Sequence, residues 1–184
     1  MAENKNPWTK LSERMIYENP WIRLDEHKVI NPSGGEGIYG KVSFKNKAIG
    51  ILPIDNEGNT WLVGQYRYTL DQYSWEIPMG GVPMNESIHE GALRELKEET
   101  GLVAKSLTEL CKIHTSNSVT DEEGTVFLAT ELLQDEPEFD DTEDITIKKV
   151  SFREALAMTM DSEITDSLSV AGILKYARLL EGNG

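Results

Sequence analysis

Residues 80–102 have the sequence GGVPMNESIHEGALRELKEETGL, and this stretch carries the clearest helix signal in the chain. Its apolar residues recur at helical spacing and so share one face of a helix; they are Ile88, Ala92, Leu93 and Leu96. Gly101 directly follows this pattern, and glycine is the residue that most often ends a helix. We therefore expect a helix over residues 86–100 that ends at Gly101.

Three carboxylates share one face of this expected helix. Glu95, Glu98 and Glu99 stand at positions i, i+3 and i+4, so they lie within roughly a third of a turn of one another. Like charges this close repel each other unless cations lie between them. Oxygen ligands of this kind suit Mg²⁺ or Mn²⁺, which often bridge to substrate phosphates. The spacing predicts a divalent-metal phosphate site; the alternative is a solvated helix face whose charges pair with Arg94 and Lys97.

The segments around this helix predict a mixture of strands and helices. Before it, turn residues separate stretches that have the β-branched and aromatic bias of strands: residues 11–17, 21–30, 37–44, 48–54, 60–68 and 75–78. After it, we expect strands at 112–115, 125–130 and 145–152 and helices at 153–160 and 167–180, with Asp166 as a cap for the last helix. Because strands and helices do not alternate regularly, the pattern favours an α+β fold with a mixed β-sheet flanked by helices.

The charge balance restricts the partners. The 184 residues include 18 Lys plus Arg and 32 Asp plus Glu, which gives a net charge of -14. Such a field repels polyanions and argues against an RNA or DNA backbone as partner, whereas a small anion held through metal ions stays open.

A single cysteine excludes an internal disulfide framework. The longest apolar run, residues 48–54, is far below the roughly 20 residues of a membrane span. With no signal-peptide core at the N-terminus, we expect a cytoplasmic protein that makes no membrane contact.

The 80–102 segment also matches a known motif at every position. The pattern is GX5EX7REUXEEXGU, with U aliphatic, and its fixed residues here are Gly80, Glu86, Arg94, Glu95, Glu98, Glu99 and Gly101. In this the chain resembles the Nudix hydrolases, which implies a Nudix fold and hydrolysis of a nucleoside diphosphate linked to another group. The resemblance further implies that Glu95, Glu98 and Glu99 bind Mg²⁺ or Mn²⁺, with Glu98 also counted as catalytic. It implies an additional ligand from the backbone carbonyl of Met79, and an orienting role for Arg94 and Glu86.

Two flanking segments are similar to one branch of that family. QYRY at 65–68 and WEIPMGG at 75–81 resemble segments of ADP-ribose pyrophosphatases and nucleoside-diphosphate-sugar hydrolases. The resemblance implies that Arg67 binds a phosphate or the terminal ribose and that Glu76 hydrogen-bonds the substrate. The alternatives are a surface cation for Arg67 and a partner of a neighbouring helix or strand for Glu76. The branch also splits its substrates into a nucleoside monophosphate and a sugar phosphate.

The same resemblance implies a division of the chain and a homodimer. Residues 1–45 would form an N-terminal antiparallel β-sheet that is exchanged between two subunits, and residues 46–184 would form the catalytic domain. Trp21, or a neighbouring aromatic such as Tyr39, would stack on the base of the nucleotide. Core packing is the alternative for any single tryptophan.

At one position the sequence differs from this branch, and the difference bears on which sugar the enzyme prefers. ADP-ribose pyrophosphatases commonly have a proline sixteen positions after the last glycine of the motif, and this position is Asn117 here. We therefore expect a broader or shifted nucleoside-diphosphate-sugar preference, with Asn117 and the polar loop 115–122 on the sugar side of the site.

The acidic segment 131–144 acquires a role under the resemblance. It has eight acidic residues in fourteen and no basic one, and by itself such a run is a solvated loop. In the branch a mobile loop at this place supplies the general base, which makes Glu143 the first candidate and Asp141 the second.

Two other functions stay open: an RNA 5′-end or nucleoside triphosphate pyrophosphohydrolase, and a non-catalytic nucleotide-sugar sensor. Sensors of this kind generally lose motif carboxylates, and none is missing here.

Overall fold

The computed structural model describes residues 5–135 and 144–182. The strands in this part of the chain are β1 (Thr9–Glu18), β2 (Ile22–Ile30), β3 (Glu36–Phe44), β4 (Asn46–Pro53), β5 (Asn59–Arg67), β6 (Gln72–Glu76), β7 (Met79–Pro83), β8 (Leu102–His114), β9 (Glu123–Gln134) and β10 (Thr146–Ser151). The helices are α1 (Ile88–Thr100), α2 (Phe152–Met160) and α3 (Ser167–Gly182). No helix within these two ranges is long and apolar enough to cross a membrane.

The first of two compact units contains the described residues up to Asn46 together with His114–Glu122. Its strands form an antiparallel sheet in the order β1-β2-β3. Asn31 closes the turn between β2 and β3, because its side-chain oxygen accepts hydrogen bonds from the backbone N–H groups of Ser33 and Gly35. The loop after β8 joins this unit through a hydrogen bond from Val42 N to the Val119 carbonyl at 2.9 Å.

The second unit contains Lys47–Ile113 and the described residues from Glu123 onward. It has one sheet in the order β7-β4-β9-β8, in which β4 and β9 are parallel, and another in the order β10-β5-β6, which is antiparallel. Side chains alternate along β4, as strand geometry requires. Ile49 and Ile51 pack in a core cluster with α1, and Leu52 and Ile54 pack in a cluster with α2 and α3. The expected α+β fold, with a mixed sheet flanked by helices, is therefore confirmed.

Several element boundaries differ from those expected from the sequence. Helix α1 begins at Ile88 rather than at residue 86, because Ser87 is its N-cap. Residues 79–83 form β7, a strand that is absent from those expected from the sequence. Strand β8 begins at Leu102 and has thirteen residues, whereas the sequence indicated only 112–115. Both strands lie at sheet edges, where polar and glycine residues are tolerated and the apolar signal is weak.

Candidate active site

Helix α1 is fixed against β7 at a point of close approach. The Ser87 side chain accepts a hydrogen bond from His89 N at the start of the helix, and Gly101 ends it in the left-handed conformation at a φ of 70°. A Cβ atom on Gly91 would overlap the Val82 side chain, so only glycine allows this approach. The contact holds the carboxylate face of α1 against the first residues of β7.

Two of the three motif carboxylates lie directly at the start of β7. The Glu99 side chain, 2% exposed, accepts a hydrogen bond on Oε2 from Met79 N at 3.0 Å. A Cβ atom on Gly80 would overlap the Glu95 carboxylate, so that carboxylate lies against the Gly80 backbone. The structure thus brings Met79, Gly80, Glu95 and Glu99 together, while the metal-binding set of Glu95, Glu98, Glu99 and the Met79 carbonyl stays a prediction.

Arg94 lies among the carboxylates. Its Nη1 donates to Glu95 Oε1 and to Glu98 Oε2, both at 2.9 Å, and its Nη2 donates to Glu86 Oε2 at 3.5 Å. Partial burial alone would lower the pKa of Arg94, but the charges of Glu95 and Glu98 and the hydrogen bonds to Glu86 and Glu95 raise it above its ordinary value. One guanidinium shared among three carboxylates leaves an excess of negative charge. The orienting role expected for Arg94 and Glu86 agrees with this geometry.

The donor set has the chemistry that a divalent metal requires, but it is not assembled in advance. Carboxylate and carbonyl oxygens are the ligands that Mg²⁺ and Mn²⁺ prefer. Within the described ranges, no group of three acidic, histidine or cysteine side chains already forms a metal-binding cluster. The reason is local: Arg94 holds Glu95 and Glu98, and the Met79 backbone holds Glu99. A metal would have to draw Glu95 and Glu98 away from Arg94.

Lys47 fixes the loop between β7 and α1, a contact that the sequence did not indicate. Its Nζ donates to the Met84 carbonyl at 3.3 Å and to the Glu86 carbonyl at 3.2 Å. The bonds join residues 37 and 39 positions apart, and no periodic pattern signals such a distance. The loop that carries Glu86 is thereby tied to β4.

Arg67 and Glu76 bind each other in a bidentate ion pair. Arg67 Nε donates to Glu76 Oε1 at 2.9 Å, and Nη2 donates to Oε2. The Glu76 side chain is 4% exposed and that of Arg67 is 35% exposed. The hydrogen bond from Glu76 raises the pKa of Arg67, against the effect of burial. Arg67 can therefore reach a ligand from solvent, whereas Glu76 acts as its buried anchor. The alternative of a strand partner for Glu76 agrees with this geometry.

The aromatic and loop candidates lie in the first unit. Tyr39 and Asn117 both line a cavity of about 690 Å³ whose lining residues all belong to this unit. The Tyr39 hydroxyl donates to the Ser118 carbonyl at 2.7 Å, and its ring makes an edge contact with Trp8 at a centroid distance of 5.4 Å. Trp21 is 67% exposed and does not line this cavity. Trp8 is a lining residue that the sequence pattern did not single out.

The candidates for general base, Glu143 and Asp141, lie outside the described residues. The strand that precedes them, β9, ends next to α1: Asp135 N donates to the Gly101 carbonyl at 2.7 Å. The strand that follows them, β10, pairs with β5 from Thr146 opposite Gly64.

The chain is similar to known proteins over nearly its whole length. Residues 45–168 match the NUDIX domain model, and residues 8–42 match the model of the nucleoside diphosphate sugar hydrolase N-terminal domain. It is 36% identical to an ADP-ribose pyrophosphatase of Bacillus subtilis, over 93% of this chain and 92% of that protein. It is 32% identical to an ADP-ribose pyrophosphatase of Mycobacterium tuberculosis, over 99% of this chain and 88% of that protein. The crystal structure of an ADP compounds hydrolase superposes with a TM-score of 0.85 and 22% identity, covering 96% of each chain.

The matched domain model and the two relatives at 36% and 32% identity define the chain as a hydrolase of phosphoric anhydrides. The chain belongs to the Nudix family, and within it is a Nudix pyrophosphatase.

Proposed function

We propose that this enzyme hydrolyses the pyrophosphate bond of nucleoside diphosphate sugars, ADP-ribose or a related one, to a nucleoside monophosphate and a sugar phosphate. The observation that carries the proposal is the complete carboxylate set of α1, of which Glu95 and Glu99 lie against Met79 and Gly80. The names of the two bacterial relatives and the matched N-terminal domain support the substrate class.

The metal donors are Glu95, Glu98, Glu99 and the backbone carbonyl of Met79. Mg²⁺ or Mn²⁺ held there would neutralise charge on the pyrophosphate and make water a better nucleophile at neutral pH. Arg94 keeps Glu95 and Glu98 in place before metal uptake, since it bonds to both. Glu98 is the most accessible of the three carboxylates, at 38% side-chain exposure, which supports its additional catalytic role.

The substrate contacts are assigned residue by residue. Arg67 binds a phosphate or the terminal ribose through its exposed face, because Glu76 occupies the other face. Trp21 is the candidate for stacking on the base, and Tyr39 is the neighbouring alternative. Asn117 lies on the sugar side with its loop.

A carboxylate of the acidic segment acts as general base. Glu143 is the first candidate and Asp141 the second. A general base must come within hydrogen-bond reach of the attacking water.

We further propose a cytoplasmic homodimer in which residues 1–45 form the N-terminal sheet and residues 46–184 the catalytic domain. All ten residues of β1 are exposed, including large apolar side chains that a second copy would cover: Leu11, Met15, Ile16 and Tyr17. A three-stranded sheet with so few buried residues needs such a cover to be stable.

Two alternatives have less support. An RNA 5′-end pyrophosphohydrolase would have to bind a polyanion against a net charge of -14, which is unfavourable. A nucleotide-sugar sensor would not need the full set of motif carboxylates.

The test is a substrate panel with purified protein and Mg²⁺ or Mn²⁺, with products identified by chromatography. The panel contains ADP-ribose, ADP-glucose, GDP-mannose, UDP-glucose, dinucleotide polyphosphates, dGTP and 5′-triphosphorylated RNA. We expect monophosphate release from one or more sugar nucleotides. Cleavage of only RNA or triphosphates would overturn the substrate class, and binding of ADP-ribose without any product would favour the sensor.

A further inference from the structure

A buried serine of α3 is hydrogen-bonded to the connection between β6 and β7. Ser169 has no exposed surface. Its Oγ accepts a hydrogen bond from Ile77 N at 3.0 Å and donates to Asp166 Oδ1 at 2.9 Å. The same Asp166 oxygen accepts from Ser169 N at 2.8 Å, which is the helix cap that the sequence predicted. A buried hydroxyl engaged as both donor and acceptor has a fixed orientation, so the first turn of α3 determines where the Ile77 backbone lies.

Three successive residues from the end of β6 to the start of β7 are hydrogen-bonded to three different elements. Ile77 N is bonded by α3, as described above. The Pro78 carbonyl accepts from Ile51 N of β4 at 2.8 Å. Met79 N donates to Glu99 of α1 at 3.0 Å. Because only two residues separate β6 from β7, a displacement at the first of these positions is passed on to the third.

We propose that Ser169 is a positioning residue of the active site, which sets the β6–β7 backbone and thereby the geometry at which Glu99 and the Met79 carbonyl take up a divalent metal. The inference rests on the proposed function, since it concerns the same metal donors. Removing a group that orients a metal ligand through a hydrogen bond typically lowers metal affinity or activity by about 10- to 100-fold. Ser169 does this through main-chain groups rather than by contact with a ligand.

The deciding variant is Ser169→Ala, which leaves Ile77 N without its acceptor. A matched control is Thr159→Val, because Thr159 is also a buried hydroxyl of the second unit, bonded to the Ala155 carbonyl at 2.9 Å, but belongs to α2. Asp166→Ala is a second variant at a half-buried position. It removes the acceptor of the Ser169 hydroxyl and also the cap of α3, and the melting temperature reports the stability lost with the cap. This variant decides the question if Ser169→Ala does not fold.

The measurement is a Mn²⁺ titration followed by the electron paramagnetic resonance signal of the free ion, with kcat and KM for ADP-ribose measured at saturating Mn²⁺. We expect the Mn²⁺ Kd of Ser169→Ala to rise about 10-fold and kcat to fall, with a smaller change of the same sign in Asp166→Ala. Thr159→Val should lower the melting temperature and leave both quantities within about 2-fold of wild type.

Two results would overturn the inference, and they can be told apart. If wild type hydrolyses sugar nucleotides and Ser169→Ala keeps its Mn²⁺ Kd and kcat while losing stability as the control does, Ser169 is only a packing residue. If wild type itself neither binds Mn²⁺ nor releases a product, the proposed function fails and the inference fails with it.

Discussion

The guanidinium of Arg67 engages both carboxylate oxygens of Glu76, and the two residues end the neighbouring strands β5 and β6. The pair is asymmetric, since the Glu76 side chain is almost fully buried and that of Arg67 is about one third exposed. A bidentate partner fixes the plane of a guanidinium, so Glu76 fixes the orientation of the partly exposed Arg67 side chain. Under the proposed function Glu76 thereby orients the arginine that binds substrate, and its own hydrogen bond to substrate stays a prediction.

Arg67→Lys tests this pair. Lysine keeps the charge that Glu76 requires but lacks the planar fork, so we expect the KM for ADP-ribose to rise about 10-fold, equivalent to about 1.4 kcal/mol. The melting temperature should change little, because Glu76 stays paired. Arg178→Ala is the control, since Arg178 is an exposed arginine of α3 paired with Glu181. An unchanged KM in Arg67→Lys would remove Arg67 from the substrate site.

The glycine that begins the motif allows a second test. In Gly80→Ala the new Cβ would overlap the Glu95 carboxylate, so Glu95 would be displaced from the proposed metal site. We expect kcat to fall by about 10- to 100-fold, as when the support of a metal ligand is lost. The control is Gly40→Ala in β3, where a Cβ meets nothing within 4 Å. Full activity of Gly80→Ala would show that Glu95 is not needed as a ligand.

The amino-acid sequence predicts part of this site and not the rest. The helix and its three carboxylates follow from helical periodicity and motif spacing, and both are local properties. The Arg67–Glu76 pair joins residues nine positions apart, across a hairpin whose register depends on the turn. The Ser169–Ile77 bond spans 92 positions. Such contacts depend on the packing of whole elements, and the hydrophobic pattern sets that packing only coarsely.

Among the strands, too, the sequence predicts some well and others poorly. Buried strands such as β4 have apolar runs that the sequence signals clearly, since both of their faces are covered. Strand β8 lies at a sheet edge and mixes exposed polar side chains with a few buried ones. Its first ten residues were therefore not expected to be a strand, although they continue directly from the helix cap at Gly101.

The turn between β4 and β5 predicts a pH dependence of stability. Partial burial alone would raise the pKa of Asp55, but Lys149 and the backbone N–H groups of Asn59 and Glu57 together lower it below its ordinary value. A lowered folded-state pKa stabilises the protein above the unfolded-state value of about 3.9, and this contribution is lost as the pH falls toward the folded-state pKa.

Asp55→Asn should therefore destabilise the protein by roughly 1 to 2 kcal/mol at neutral pH. The difference from wild type should shrink as the pH falls below about 4, because Asp55 of the unfolded wild-type chain then binds a proton that the folded protein does not take up. Urea unfolding at several pH values measures this difference. A difference that stays constant down to pH 3 would contradict the assignment.

The exposed apolar side chains of β1 predict the oligomeric state. The chain mass is 20.7 kDa, and we expect sedimentation equilibrium at micromolar concentration to give about twice this value. Met15→Lys places a charge among the exposed apolar residues of β1 and should shift the mass toward that of one chain, whereas Arg178→Ala should not. A monomeric wild type would contradict the exchanged-sheet homodimer.

The most direct test of the central claim is the rate of AMP release from ADP-ribose in the presence of Mn²⁺, measured for wild type and for Glu99→Gln. The amide oxygen can still accept the hydrogen bond from Met79 N, so the fold should be retained, as circular dichroism and melting temperature would show. We predict AMP and ribose 5-phosphate from wild type and a rate at least about 100-fold lower from Glu99→Gln. A well-folded Glu99→Gln variant that releases AMP at nearly the wild-type rate would contradict the account.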